Sequence, residues 1–83
     1  MLHFSLGVLH MAVNYNKLWK LLIDKNMNKS DLREAIKTSP NTIAKLGKNE
    51  PVSLEVLMRI CKILQCDIGD IMEVVEVKTE VQA

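Results

Sequence analysis

The sequence predicts an all-α domain of five short helices, with a short β-strand at each end of the chain. Three observations predict it. Apolar residues recur at helical spacing through the middle of the chain, a capping residue stands ahead of each such run from Asn28 onward, and near both termini the spacing changes to alternation. Eighty-three residues, 48% hydrophobic and 25% charged, fit one globular domain with little room for a catalytic pocket walled off from water. Aromatic residues make up only 4%, so the core is aliphatic.

Taken in order, Leu2, Phe4, Leu6 and Val8 alternate with His3, Ser5 and Gly7 and predict the first strand. Residues 1–13 are read as an extension, either that strand or a non-native leader ahead of Met11. The stretch has no basic residue before its apolar run and is too short to span a bilayer, so neither a signal peptide nor an anchor is expected. Helix one runs from Tyr15 to Asn26. Its stripe is Leu18, Leu21, Leu22 and Ile23, its cap is Asn14 or Asn16, and Trp19 lies off the stripe. Asn28 caps helix two, which buries Leu32 and Ile36 at i, i+4.

Ser39 and Pro40 restart the chain as helix three, because serine accepts from the first free N–H groups and proline is preset for the first helical position. Helix three carries Ile43 and Leu46 inward and ends between Gly47 and Asn49, with Pro51 barring continuation. Ser53 caps helix four, Leu54 to Gln65, where Glu55, Arg59 and Lys62 form one solvated stripe and apolar residues wrap the rest, as in a central helix. Asp67 caps a very short fifth helix ending at Met72. Val75, Val77 and Val81 then alternate with Glu76, Lys78, Glu80 and Gln82 as the last strand. The division is therefore extension 1–13, domain 14–73 and acidic tail 74–83.

A net charge of +1 conceals a partition. Residues 11–66 hold ten Lys and Arg against five acids, whereas residues 67–83 hold Lys78 against five acids. The middle is thus +5 and the tail −4, which makes the middle the candidate partner of a polyanion.

Two short helices joined by Lys37 and Thr38, the second opened by Ser39 and Pro40, form a helix-turn-helix, whose second helix enters the major groove of double-stranded DNA. Asn41, Lys45 and Lys48 fall at i, i+4 and i+7, opposite Ile43 and Leu46, with Thr42 and Asn49 beside them. Asparagine pairs in bidentate fashion with adenine, lysine with guanine, and threonine offers a methyl to thymine. A polar face alone is what any solvated helix shows. The absence of any acid between Glu34 and Glu50 is what singles this one out.

The run NKSDLREAIKTSPNTIAKLGKN from Asn28 to Asn49, followed by SLEVLMRICKILQCDIGDIM, resembles the Cro and phage-repressor helix-turn-helix family of bacterial regulators over about residues 15–73. The resemblance implies the compact lambda-repressor-like five-helix bundle, a transcriptional regulator, most often a repressor, and a recognition helix spanning 39–49. Carried over by position, it assigns base contacts to Asn41, Thr42 and Lys45, with Pro40 at the groove edge, and phosphate contacts to Lys29, Ser39, Lys48 and Asn49. The family favours a small residue where Arg33 stands, glycine where Lys37 stands, and isoleucine or valine where Thr38 stands. Lys37 must therefore take a positive φ at some cost, or the turn differs. Arg33, facing outward, is a further phosphate candidate.

A single recognition helix reads few base pairs, so a homodimer on a two-fold site is expected. No catalytic constellation, phosphate-binding glycine loop, cofactor motif or small-molecule site is visible. His3 and His10 lack partners for a metal. Cys61 and Cys66 are expected to be reduced packing residues of a cytoplasmic protein. The rival reading is a protein-interaction module, an antitoxin or adaptor built on the same fold.

Overall fold

In the computed structural model, which describes residues 7–80, four α-helices stand between two strands: β1 Gly7–Asn14, α1 Asn16–Asp24, α2 Lys29–Ile36, α3 Pro40–Gly47, α4 Leu54–Leu64 and β2 Glu73–Glu80. The fifth helix expected from Asp67 is a single 3-10 turn, Ile68–Asp70. Asp67 does cap it, accepting from Ile68 N–H at 2.9 Å, while Asp70 reaches back to Asp67 N–H in a reciprocal box. Ile71 is then buried and the β-branched run that follows leaves as β2.

Local chemistry starts the helices where the sequence places them. Asn28 Oδ1 accepts from Asp31 N–H at 2.8 Å while Asp31 Oδ2 accepts from Asn28 N–H at 2.9 Å, a reciprocal box. Ser39 Oγ accepts from Thr42 N–H at 3.3 Å, with Pro40 in the first turn, and Ser53 Oγ accepts from Val56 N–H at 3.2 Å. At α1 the oxygen of Asn14 accepts from Asn16 N–H at 2.8 Å, so Tyr15 occupies the cap position and is freed to turn inward.

All four helices stop in the same way, with a left-handed residue that is not glycine: Asn26, Lys37, Asn49 and Gln65. After each, an N–H reaches back five residues: Met27 to Leu22, Thr38 to Arg33, Glu50 to Lys45 and Cys66 to Cys61, at 2.9 to 3.2 Å. α3 stops where the sequence places it, with Gly47 as its last residue; Asn49 makes the reversal, since asparagine tolerates this region, and the N–H of Glu50 directly after it reaches back. Lys37, at φ 54° and ψ 54°, adopts the positive φ that a turn suited to glycine requires. Lys37→Gly should therefore stabilise the fold by up to about 1 kcal/mol, a rise in melting temperature of roughly 4–8 °C. A lower melting temperature for the variant would show that the lysine side chain offsets its own strain.

The core is Tyr15, Leu18, Leu22, Leu32, Ile36, Ile43, Leu46, Leu57, Ile60, Leu64 and Ile71. On α1 the inward stripe is Tyr15, Leu18 and Leu22 with half-buried Trp19 beside it, whereas Ile23, expected on the stripe, is 72% exposed. The i, i+3, i+7 spacing from Tyr15 fixes this; reading the stripe from Leu18 alone misplaces it. On α4, Leu57, Ile60 and Leu64 are buried, but Leu54 and Met58 are 60% and 58% exposed. Apolar residues thus wrap α4 without being covered, because so short a chain packs against one side of a helix only.

β1 and β2 pair antiparallel, from Gly7 opposite Glu80 to Asn14 opposite Glu73. Among the described residues the first strand runs on to Asn14, past the alternation of Leu2 to Val8, and Leu2, Phe4 and Leu6 lie outside the described residues. The register sets its position: Asn14 and Glu73 abut the helical body, and pairing proceeds outward from there. Val13 and Met72 pack on the core and root the ribbon.

Candidate nucleic-acid interface

α2 and α3 are joined by Lys37, Thr38 and Ser39, and both bury their apolar faces in the common core, which leaves one side of α3 to solvent. On that side Pro40, Asn41, Lys45 and Lys48 are exposed and Thr42 is half-buried, its hydroxyl 3.3 Å from Ser39 Oγ. No acid stands between Glu34 and Glu50, so the face is uniformly neutral or positive. Asn41 and Lys45 lie four apart, one turn of helix, the rise needed to reach successive base edges.

Lys29 comes to the other end of α3. Its ammonium lies 4.6 Å from the centroid of the Trp19 ring, and a β-carbon added at Gly47 would stand 3.5 Å from it. The first residue of α2 thus meets the end of α3, next in the chain to Lys48 and Asn49. A cation over an indole face is held by about 0.5–1 kcal/mol at an exposed site, enough to bias one rotamer of a long side chain without locking it. Arg33, expected to face outward, is half-buried on the last turn of α2. Nothing places its guanidinium with the other cations.

Tyr15, which sequence patterning did not single out as a functional residue, anchors the chain beyond α3. Its hydroxyl donates to Glu50 O at 2.8 Å and its N–H donates to Asn49 Oδ1 at 3.2 Å. Burial pushes the phenol above its ordinary pKa, partly offset by a backbone contact with Val52, so it remains a protonated donor. Asn49, expected at phosphate, thus has its amide oxygen engaged internally. Arg59, expected only on a solvated stripe, donates to Ile36 O at 3.2 Å and to Glu55 at 2.9 Å. It ties α4 to the end of α2 just ahead of the turn.

A profile of the Cro/C1-type helix-turn-helix DNA-binding domain matches residues 17–76. The chain belongs to this family. Its fold and sequence are also similar to the crystal structure of the transcriptional regulator VanUg, form II, at 57% identity and a TM-score of 0.76, over 90% of this chain and 95% of that one. Among curated proteins none matches. As a family member the chain is a DNA-binding regulator whose helix-turn-helix is α2 and α3.

The remaining polar groups form no competing centre among the described residues. No three His, Cys, Asp or Glu side chains come together as a metal site, and no helix is long and apolar enough to cross a membrane. Cys61 and Cys66 are half-buried against the core, and burial pushes both thiols up, which keeps them protonated.

Proposed function

We propose that this protein is a sequence-specific transcriptional repressor that binds double-stranded DNA as a homodimer in the cytoplasm, inserting α3 into the major groove. The supporting observation is the exposed, acid-free face of α3 on a Cro/C1-type domain. Residues 14–73 form the DNA-binding unit. Asn41, Thr42 and Lys45 contact base edges and Pro40 lines the groove edge. Lys29, Ser39 and Lys48 hold phosphates, joined by the free Nδ2 of Asn49 and, from its half-buried position, by Arg33. No cofactor or small-molecule ligand is required for this reading.

Phosphate contacts release counterions, so log affinity should fall linearly with log salt by about 0.9 per neutralised phosphate. Lys29, Arg33 and Lys48 from each of two subunits give a slope of roughly −5. Gel shifts with genomic fragments at several salt concentrations measure it. No shift at any salt concentration would remove the DNA reading and favour a protein-interaction module, an antitoxin or adaptor, whose interface is mainly apolar.

A further inference from the structure

A cleft of about 410 Å³ lies between the end of α2 and the later part of α4, lined by Ala35, Ile36, Lys37, Arg59, Lys62 and Ile63. Three of its lining residues are cations, three are apolar and none is acidic. Ile63 stays 42% exposed beside Ala35 and Ile36, so the cations stand over an apolar floor that the chain itself leaves uncovered. Arg59 is held before anything arrives. One terminal nitrogen donates to Ile36 O at 3.2 Å and the other to Glu55 at 2.9 Å, which fixes the guanidinium plane against the end of α2. Of the five N–H donors that a guanidinium carries, these two bonds engage two and leave three. We propose that this cleft binds a small amphipathic carboxylate, its acid group met by Arg59, Lys37 and Lys62 and its hydrocarbon part laid on Ala35, Ile36 and Ile63.

Charge selects an acid, and a planar fork of donors suits a carboxylate better than a point charge does. The apolar floor separates this ligand from a bare or nucleic-acid phosphate, which would leave that floor in water. Size selects a small molecule over a segment of another protein. From Arg59 to Ile63, α4 contributes one turn, a rise of about 6 Å, and α2 ends at Ile36, whereas a docked helix needs anchors along two turns. A volume of about 410 Å³ falls at the small end of ligand sites, which run from about 300 to 1,000 Å³. The cleft also includes Lys37, whose left-handed backbone joins α2 to α3, so a bound acid bears on the joint of the helix-turn-helix. The inference goes beyond the DNA reading and does not depend on it.

Titration of the full chain with octanoate, followed through its backbone amides by ¹⁵N NMR, tests this. Shifts should saturate at residues 35–37 and 59–63. Acetate, which lacks the chain, and octylammonium, which reverses the charge, should each bind at least about tenfold more weakly. Lys62→Glu sets a like charge in the cleft and should weaken octanoate by at least about tenfold, while Lys20→Glu, on exposed α1, should leave it unchanged. Should Lys62→Glu fail to melt cooperatively, Lys62→Gln replaces it, with a smaller loss in the same direction. Shifts spread over the whole surface, equal binding of octylammonium, or undiminished binding in the Lys62 variants overturns the assignment. So does Lys62→Gln if it keeps the octanoate affinity of the parent while flattening the salt slope of the gel shift, since the cleft is then a phosphate contact. Octanoate binding without any gel shift would leave this site standing and remove only the DNA reading.

Discussion

Asn41→Ala with Lys45→Ala is expected to bind operator and random DNA with nearly equal affinity. Each side chain is exposed on the acid-free face, and each bidentate base contact is worth about 1–3 kcal/mol. In a dimer each substitution removes two such contacts, so the pair should cost specificity at least about a thousandfold. Lys29→Ala and Lys48→Ala should behave differently, weakening both kinds of DNA about equally and flattening the salt slope by about one per lost contact in each subunit. Titrations against operator and scrambled DNA separate the two patterns. Retained selectivity in the double variant would mean that α3 is not the reading element.

Tyr15→Ala should produce the largest loss of stability of any single change. The ring is 1% exposed at the point where β1, α1 and the loop after α3 meet, and its truncation leaves a cavity together with an unpartnered carbonyl at Glu50. Loss of a buried aromatic costs about 3–5 kcal/mol, a large share of the roughly 5–15 kcal/mol that holds a small domain together. Tyr15→Phe keeps the ring and removes only the hydroxyl, a loss of about 1 kcal/mol. Urea unfolding should rank the parent above Tyr15→Phe and Tyr15→Phe well above Tyr15→Ala. Equal midpoints for all three would deny Tyr15 its anchoring role.

Features set by neighbours in sequence were legible in advance; features set across the chain were not. Asn28, Ser39 and Ser53 announce helix starts because each cap bonds within three residues. The inward faces of α2 and α3 follow from Leu32, Ile36, Ile43 and Leu46 for the same reason. Lys37 is harder, since no local preference places a lysine at positive φ; only the family resemblance pointed to that turn. Tyr15 bonds partners 34 and 35 positions away, and Arg59 reaches 23 positions back to Ile36. Periodicity carries no trace of such pairings. The 3-10 turn shows the limit from the other side: Asp67 correctly marks a start, but the element is cut short where the chain leaves at Glu73 to pair with β1, a partner far off in sequence. The continuation of β1 past Val8 was not legible because Val8 to Val13 is apolar almost throughout, which erases alternation in a stretch that pairs with β2.

The stacking of Lys29 on Trp19 gives this molecule an intrinsic optical gauge. The chain has a single tryptophan, and a positive charge rests on its π face at the start of α2. Indole emission is sensitive to a nearby cation, and an arriving phosphate that draws the ammonium toward itself changes the field at the ring. With no second indole to dilute the signal, the colour and intensity of the unlabelled protein follow the position of one ammonium, so any anion that draws Lys29 off the ring registers in the emission of Trp19.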